Sequence, residues 1–250
     1  MTRNIKNAIL ILAMAVSART IILAQTIDRL PSTELVVAKM MRANAVRQSQ
    51  MTGYTVLRRY VAVNKNRRAE MLVRVTCDKD GAERFSILSE EGSRSIRNHV
   101  FHKLLREETK ASRHGPRHNA RLIPANYAFQ IIGEETLKTG PAYVLDVAPK
   151  SVNRYSIDGK IWVDAGDYSI VRVEGQPTRT PSFWVRSVYF VHTYQKVEQF
   201  WLASSTRTKS KILIFGDSQL SIEDYDYTLN IPSDNATRAD VQRRQGGLQP

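Results

Sequence analysis

The sequence predicts a mainly β fold of the α+β class, built on one antiparallel sheet. Three observations carry that reading. Apolar residues alternate with a period of two over most of the chain from Tyr54 onward. The connections between the alternating runs are too short for the crossovers that parallel strands require. Only two stretches show helical spacing instead.

The first of those stretches opens on Pro31-Ser32-Thr33-Glu34, with Ser32 as N-cap and Glu34 in the first turn. Val36, Val37, Met40, Met41 and Asn44 follow near helical spacing, and the helix ends before Gly53. Its Met-rich face is expected to pack on the sheet. From Tyr54 the period becomes two. Residues 53–63 and 68–77 read as strands joined by an Asn64-Lys65-Asn66 turn. In the second, Ala69, Met71, Val73, Val75 and Cys77 share one side, opposite Glu70, Leu72, Arg74, Thr76 and Asp78. Lys79-Asp80-Gly81 turns the chain into a third strand over residues 83–89, which completes a meander with one wet and one apolar face.

Residues 98–109 read as the second helix. Val100, Phe101, Leu104 and Leu105 form its apolar stripe beside Lys103, Arg106, Glu107 and Glu108. Residues 110–124 are polar, broken by Gly115, Pro116 and Pro124, and read as a long surface loop. Seven strands follow over residues 127–134, 142–147, 154–164, 168–174, 183–196, 200–211 and 219–229. Gly140-Pro141, Ala165-Gly166-Asp167, Gln176-Pro177 and Gly216-Asp217 punctuate them. The total is ten or eleven strands with two helices. From Ile231 the apolar periodicity stops, and residues 231–250 read as a flexible tail.

The N-terminus reads as an export signal. Arg3 and Lys6 precede an apolar run over residues 8–16. Cleavage is expected after Ala24, with Val16-Ser17-Ala18 as the alternative site. Residues 1–24 would then be a signal peptide, residues 25–230 a single domain, and the location periplasmic. No cysteine follows the apolar run, so the chain itself does not read as a lipoprotein. Net charge is +13. Loss of Arg3, Lys6 and Arg19 with the leader removes three of those charges and leaves ten. A basic surface of that size suits anionic headgroups, cell-wall polymers or an acidic partner, or serves solubility alone. Nucleic acid is not expected as a partner, because no nucleic-acid motif is present. The one cysteine, Cys77, has no internal disulfide partner and ends an alternating run, so it is expected to be buried.

No catalytic signature is present: no Gly-x-Ser-x-Gly, Gly-x-Gly-x-x-Gly, Walker loop, His-Glu-x-x-His or Cys-x-x-Cys. Cys77 has no feature favouring a nucleophile. His99 and His102 share a helix face, and His114 and His118 lie in the basic loop. Arg113, Arg117 and Arg121 in that loop would repel a metal cation. The paired carboxylates Asp164/Asp167, Glu90/Glu91, Glu107/Glu108 and Asp224/Asp226 read as structural, with Asp164 and Asp167 bracketing a tight turn. No catalytic residue, metal or cofactor is assigned, and the chain reads as a non-enzyme. The aromatic set Phe183, Trp184, Tyr189, Phe190, Tyr194, Phe200 and Trp201 lies on both faces of one hairpin. That calls for packing on each side, from core layers or from a ligand.

The order of export signal, Met-rich helix, three-strand meander, short helix and long antiparallel run resembles the periplasmic lipoprotein-carrier superfamily. These are the LolA/LolB-like, outer-membrane lipoprotein-sorting proteins. The segment over residues 158–174, with Trp162, an Asp-bearing turn and an alternating strand, is the most specific part. Pro181-Ser182-Phe183-Trp184 with Phe200-Trp201-Leu202 resembles a subgroup of that superfamily. The resemblance implies a curved, incomplete antiparallel β-barrel of about eleven strands with helices covering its concave face. It also implies an apolar hollow for a lipidated or amphiphilic ligand, such as lipoprotein acyl chains. Each methylene sheltered there is worth roughly 0.8 kcal/mol. Candidate lining residues are Met71, Val73, Val75, Phe101, Leu104, Leu105, Trp162, Trp184 and Phe190. The same fold also serves envelope stress sensors that bind partner proteins, so an envelope membrane protein is the alternative partner.

Overall fold

The structure is a computed structural model that describes residues 30–113, 121–153, 155–179, 185–212 and 216–230. Ten strands among these residues form one antiparallel sheet in the order β3-β2-β1-β10-β9-β8-β7-β6-β5-β4. They are β1 (Gly53–Asn64), β2 (Arg67–Asp78), β3 (Glu83–Gly92), β4 (Tyr127–Leu137), β5 (Gly140–Pro149), β6 (Ile157–Asp164), β7 (Ile170–Pro177), β8 (Val185–Val197), β9 (Phe200–Ile212) and β10 (Gly216–Leu229). The sheet does not close: β3 and β4 are its two edges. This fits the curved, incomplete barrel expected, with ten described strands in place of about eleven. All neighbours but one are consecutive in sequence. The exception is β1 beside β10, which joins the N-terminal meander to the end of the chain.

Register fixes which side chains share a face. Tyr60 stands opposite Met71 on β2 and Ile222 on β10; Ile222 stands opposite Thr206, which stands opposite His192. His192 stands opposite Val173, then come Ile161 and Leu145. Because directly paired residues point the same way, this row runs along one face of the whole sheet. Both helices cover that face.

Helix α1 (Thr33–Gln50) starts where the sequence places it. Ser32 accepts the Leu35 N–H at 3.2 Å as N-cap. Only the first half of α1 is seated. Val36, Val37 and Met40 are buried against Tyr127, Leu145, Val147, Ile161, Val163 and Val173. Thr33 Oγ1 accepts the Ile131 N–H at 3.0 Å, which ties the helix start to edge strand β4.

The second helix, α2, is longer than expected. It begins as an α-turn over Arg94–Ile96, continues through a π-helical turn over Arg97–Phe101, and ends as α-helix over His102–Arg113. The wide turn spaces Ile96 and Phe101 five residues apart on the sheet-facing side. Both are buried, with Leu105, against Val56, Tyr60, Met71, Val73 and Val75. Val100, expected in the apolar stripe, is instead 39% exposed, because the π-turn rotates it away.

The opposite face has its own small cluster. Trp162 packs there with Ala142, Val144 and Val171. A β-bulge between Trp162 and Val163 pairs Val163 with Ile170 and Trp162 with Arg172, which leaves Val171 as the extra residue. Arg172 lies 4.3 Å over the Trp162 ring, and Trp162 Nε1 donates to Glu135 at 2.6 Å. Cys77 is buried, as expected, and is a free cysteine.

Gly159 and Gly175 face each other across β6 and β7. A Cβ on Gly159 would lie 2.0 Å from the Glu174 carbonyl oxygen, so the two backbones meet where only glycine fits. Gly159→Ala is expected to cost about 1–3 kcal/mol in urea unfolding. Gly133→Ala, whose Cβ would meet nothing within 4 Å, is expected to change stability by less than about 0.5 kcal/mol.

Candidate functional site: a groove beneath the first helix

Two features of the helix-covered face are not ordinary core. The first is a buried ionic cluster. Strand alternation places Arg58 between Val56 and Tyr60 on the apolar face, where it is 9% exposed. Arg58 Nε donates to Asp224 Oδ1 on β10 at 2.6 Å, and Nη1 donates to Glu108 Oε2 of α2 at 3.1 Å. Glu83 of β3 lies 3.9 Å from Nη2. Tyr60 donates to Glu108 at 2.9 Å, and Tyr54 donates to Glu83 at 3.4 Å. One guanidinium therefore meets three carboxylates.

Burial outweighs the attraction to Arg58, so Glu83, Glu108 and Asp224 are all held above the usual carboxylate range. Burial alone would lower the Arg58 pKa, but Asp224, together with Tyr60 and Glu108, carries it above its ordinary value. The cluster clamps α2, β1, β3 and β10 together. It also marks where the β9–β10 ladder ends, at Ser205 and Glu223. Beyond that point side chains span the gap: Gln195 donates to the Asp224 carbonyl at 3.0 Å, and Tyr227 donates to the Ala203 carbonyl at 2.8 Å. Nearby, His192 bonds to Thr206 and is pushed down to about 4, by burial first and by the Arg58 charge second.

The second feature is a groove of about 550 Å³ under the unseated half of α1. Met40, Met41 and Ala45 of the helix, Leu122 and Ile123, and Ile170, Tyr194 and Trp201 of β7, β8 and β9 give it apolar walls. Asn44, Arg47, Gln48 and Arg121 also line it and make part of its surface polar. Arg47 donates to Ser169 Oγ and is half-buried, and desolvation lowers its pKa. Tyr194 is partly buried in the same region, and desolvation pushes its phenol up to about 12. One end is fixed by Asp167, which accepts from Trp201 Nε1 at 2.8 Å, from Lys196 at 3.1 Å and from the Ser169 N–H at 3.0 Å. Burial opposes its ionisation, but these hydrogen bonds hold Asp167 down at about 2. Asp164 makes the turn bonds expected of it, accepting the Gly166 and Asp167 N–H groups at 2.9 and 2.8 Å.

The groove is not where the sequence placed the lining. Met71, Val73, Val75, Phe101 and Leu105 interdigitate in one closed cluster with Leu104 against it, and none lines the groove. Trp162 is on the opposite side of the sheet. Phe190 is on the helix side and packs beside the α1 cluster. Trp184 lies outside the described residues. The histidines do not converge: His99 bonds to the Ser95 carbonyl and His102 to Glu90 at 2.7 Å, while His114 and His118 lie outside the described residues. Among the described residues, no group of three or more His, Cys, Asp or Glu is placed to hold a metal ion. The missed residues had partial signals. Tyr194 and Trp201 belong to the aromatic hairpin, and Arg121 to the basic loop; Arg47 had none.

No family model and no curated protein matches the chain. Solved structures do show similarity of layout. One is a DUF1329 family protein from Desulfovibrio piger, with 11% identity and a TM-score of 0.42 over 80% of this chain and 95% of that one. A second is an outer membrane lipoprotein-sorting type domain from Vibrio parahaemolyticus, with 12% identity and a TM-score of 0.38 over 82% and 98%. A third is a LolA superfamily protein from Nitrosomonas europaea, with 9% identity and a TM-score of 0.35 over 82% and 96%. No helix among the described residues is long and apolar enough to cross a membrane.

Two outcomes follow from the ionic cluster. Arg58→Met strands three carboxylates in buried space and is expected to cost about 3–5 kcal/mol near neutral pH. That loss should shrink as pH falls, because protonated carboxyls no longer repel; urea unfolding at several pH values reads both effects. His192 has the opposite sign. Its folded pKa lies below the unfolded 6.5, so its contribution is intact above pH 6.5 and is lost as pH falls toward 4. The loss is about 3 kcal/mol. His192→Gln is expected to remove that slope from the stability profile.

Proposed function

We propose that the chain is a periplasmic binding or carrier protein that shelters the apolar part of an amphiphile beneath α1, without covalent chemistry. The observation that carries this reading is the groove itself. It has apolar walls and two arginines, and its volume is within the range of roughly 300–1,000 Å³ typical of small-molecule sites. Seating only the first half of α1 leaves Ala45 and Arg47 outside the core, with Met41 at its margin. An acyl chain fits that arrangement, since each methylene removed from water gains roughly 0.8 kcal/mol. Arg47 and Arg121 favour a carboxylate or phosphate head over a neutral one. The export signal and the single domain over residues 25–230 expected from the sequence, and the resemblance to lipoprotein carriers in the segment over residues 158–174, support this reading.

A second reading, an envelope protein-interaction or stress-sensor module, draws on edge strand β3. It exposes Ile87 and Leu88, 46% and 43% accessible, beside an unpaired backbone edge. An envelope membrane protein would then add a strand there.

Native mass spectrometry of protein purified from its envelope fraction without detergent tests the first reading. The expected result is a co-purifying lipid or acylated peptide, lost in Ala45→Trp, which fills the groove, with no loss of stability. Arg47→Gln should weaken fatty-acid binding about tenfold and leave the corresponding fatty alcohol unaffected. A mass without ligand, unchanged when lipids are added, contradicts the reading, and a bound polypeptide in its place supports the second.

A further inference from the structure

We propose that the face of the sheet opposite the helices docks onto a bilayer containing anionic phospholipid, through the outward side chains of β9 and its two neighbours. β9 carries Arg207, Lys209 and Lys211 and no carboxylate. The three alternate with half-buried Thr206, Thr208 and Ser210, and all three are exposed. Thr206 belongs to the row that the helices cover, so the cations point the other way. Their spacing along the strand is roughly 6.6–6.8 Å.

The neighbours across both ladders leave this row uncompensated. Arg207 stands between Ser221 and Val191, Lys209 between Gln219 and Tyr189, and Lys211 between Asp217 and Ser187. Asp217 is the one carboxylate among these six partners. None of the three cations makes an ion pair among the described residues. The other carboxylates on this face near the row are held elsewhere: Arg59 bonds Glu223, and Arg172 bonds Glu174 at 2.6 Å. Like charges at consecutive outward positions repel one another, and an anionic surface relieves that repulsion.

Two further observations favour a bilayer over an acidic protein. The surface is a regular strand row rather than a slot for a peptide. Tyr189, 47% exposed, and Tyr225, 37% exposed, lie among the cations, and tyrosine mixed with basic side chains is the composition that settles at headgroup level. At one end of the row a polar basin of about 540 Å³ is lined by Arg59, Ser204, Ser205, Arg207, Tyr225 and two carboxylates, Glu223 held by Arg59 and Asp224 held by Arg58. It gives a headgroup phosphate hydroxyls and guanidinium to bind. This surface is separate from the groove under α1, so either proposal can fail without the other.

Vesicle co-sedimentation of the protein in the form that its host exports tests the docking. Binding is expected to vesicles of phosphatidylcholine mixed with phosphatidylglycerol, not to phosphatidylcholine alone, and to weaken steeply with added salt. Each basic side chain at the surface is worth roughly fivefold. The variant Arg207→Thr, Lys209→Thr, Lys211→Thr should therefore lose on the order of 100-fold. The control Lys103→Gln, Arg106→Gln, Lys110→Gln removes as much charge from α2 on the other side and should lose little. If the triple variant fails to fold, Lys209→Thr alone should still lose roughly fivefold. Equal losses in the triple variant and the control, or equal binding to both vesicle types, would overturn the proposal. So would binding to an acidic protein by a wild type that ignores both vesicle types.

Discussion

The ladder between β1 and β10 is the contact on which the rest of the molecule depends. It pairs Arg58 with Asp224 and Tyr60 with Ile222, segments more than 160 residues apart. Every other ladder joins strands consecutive in the chain. Closing so long a loop carries a large entropic cost before any contact repays it. Repayment comes on both faces at once. On the helix side, Tyr60 and Ile222 contribute to the core under α2, and the Arg58 cluster ties that helix to the same two strands. On the other side, Arg59 bonds Glu223. Without this ladder the cores under α1 and α2 would belong to two separate half-sheets.

A buried Arg with three carboxylates is a poor source of net stability, since desolvation of the charges offsets much of their attraction. What it provides is specificity. A one-residue slip of β1 against β10 would bring Arg59, not Arg58, to the apolar face and leave Asp224 without its partner. α2 is held in one position by Glu108 and by Phe101 together. α1 is held differently. Its first half is seated by Val36, Val37 and Met40, and its second half spans an apolar groove that the protein does not fill. A closed core lies under α2 and under the first half of α1, and the groove proposed as a binding site lies under the second half of α1.

Much of the fold was legible because period-two alternation is a local signal. Strand positions, the Ser32 cap and the Asp164 turn are all set by residues within a few positions of one another. The site was less legible for the converse reason. Its walls come from residues 40–48, 121–123, 170, 194 and 201, which only the folded topology brings together. Met71, Val73, Val75, Phe101 and Leu105 had the right chemistry for a cavity wall, but α2 fills the space over them. Trp162 shows the limit of alternation most directly. The pattern says that Ile161 and Val163 oppose Trp162, but not which of the two sets faces the helices. Arg58 was hidden for the same reason, because a cation beside valines in a strand ordinarily marks the wet side. The π-turn that buries Phe101 and exposes Val100 left no mark in the helical spacing.

Methyl-resolved NMR with labelled methionine tests the central claim most directly. The chain has six methionines, of which Met40 and Met41 line the groove, while Met71 is sealed in the core under α2. Titration with a long-chain fatty acid should shift the Met40 and Met41 methyl signals, give cross-peaks from them to the acyl chain, and leave Met71 unmoved. Acyl contacts at Met71 without any at Met40 or Met41, or no response from any methionine, would contradict a binding site beneath α1.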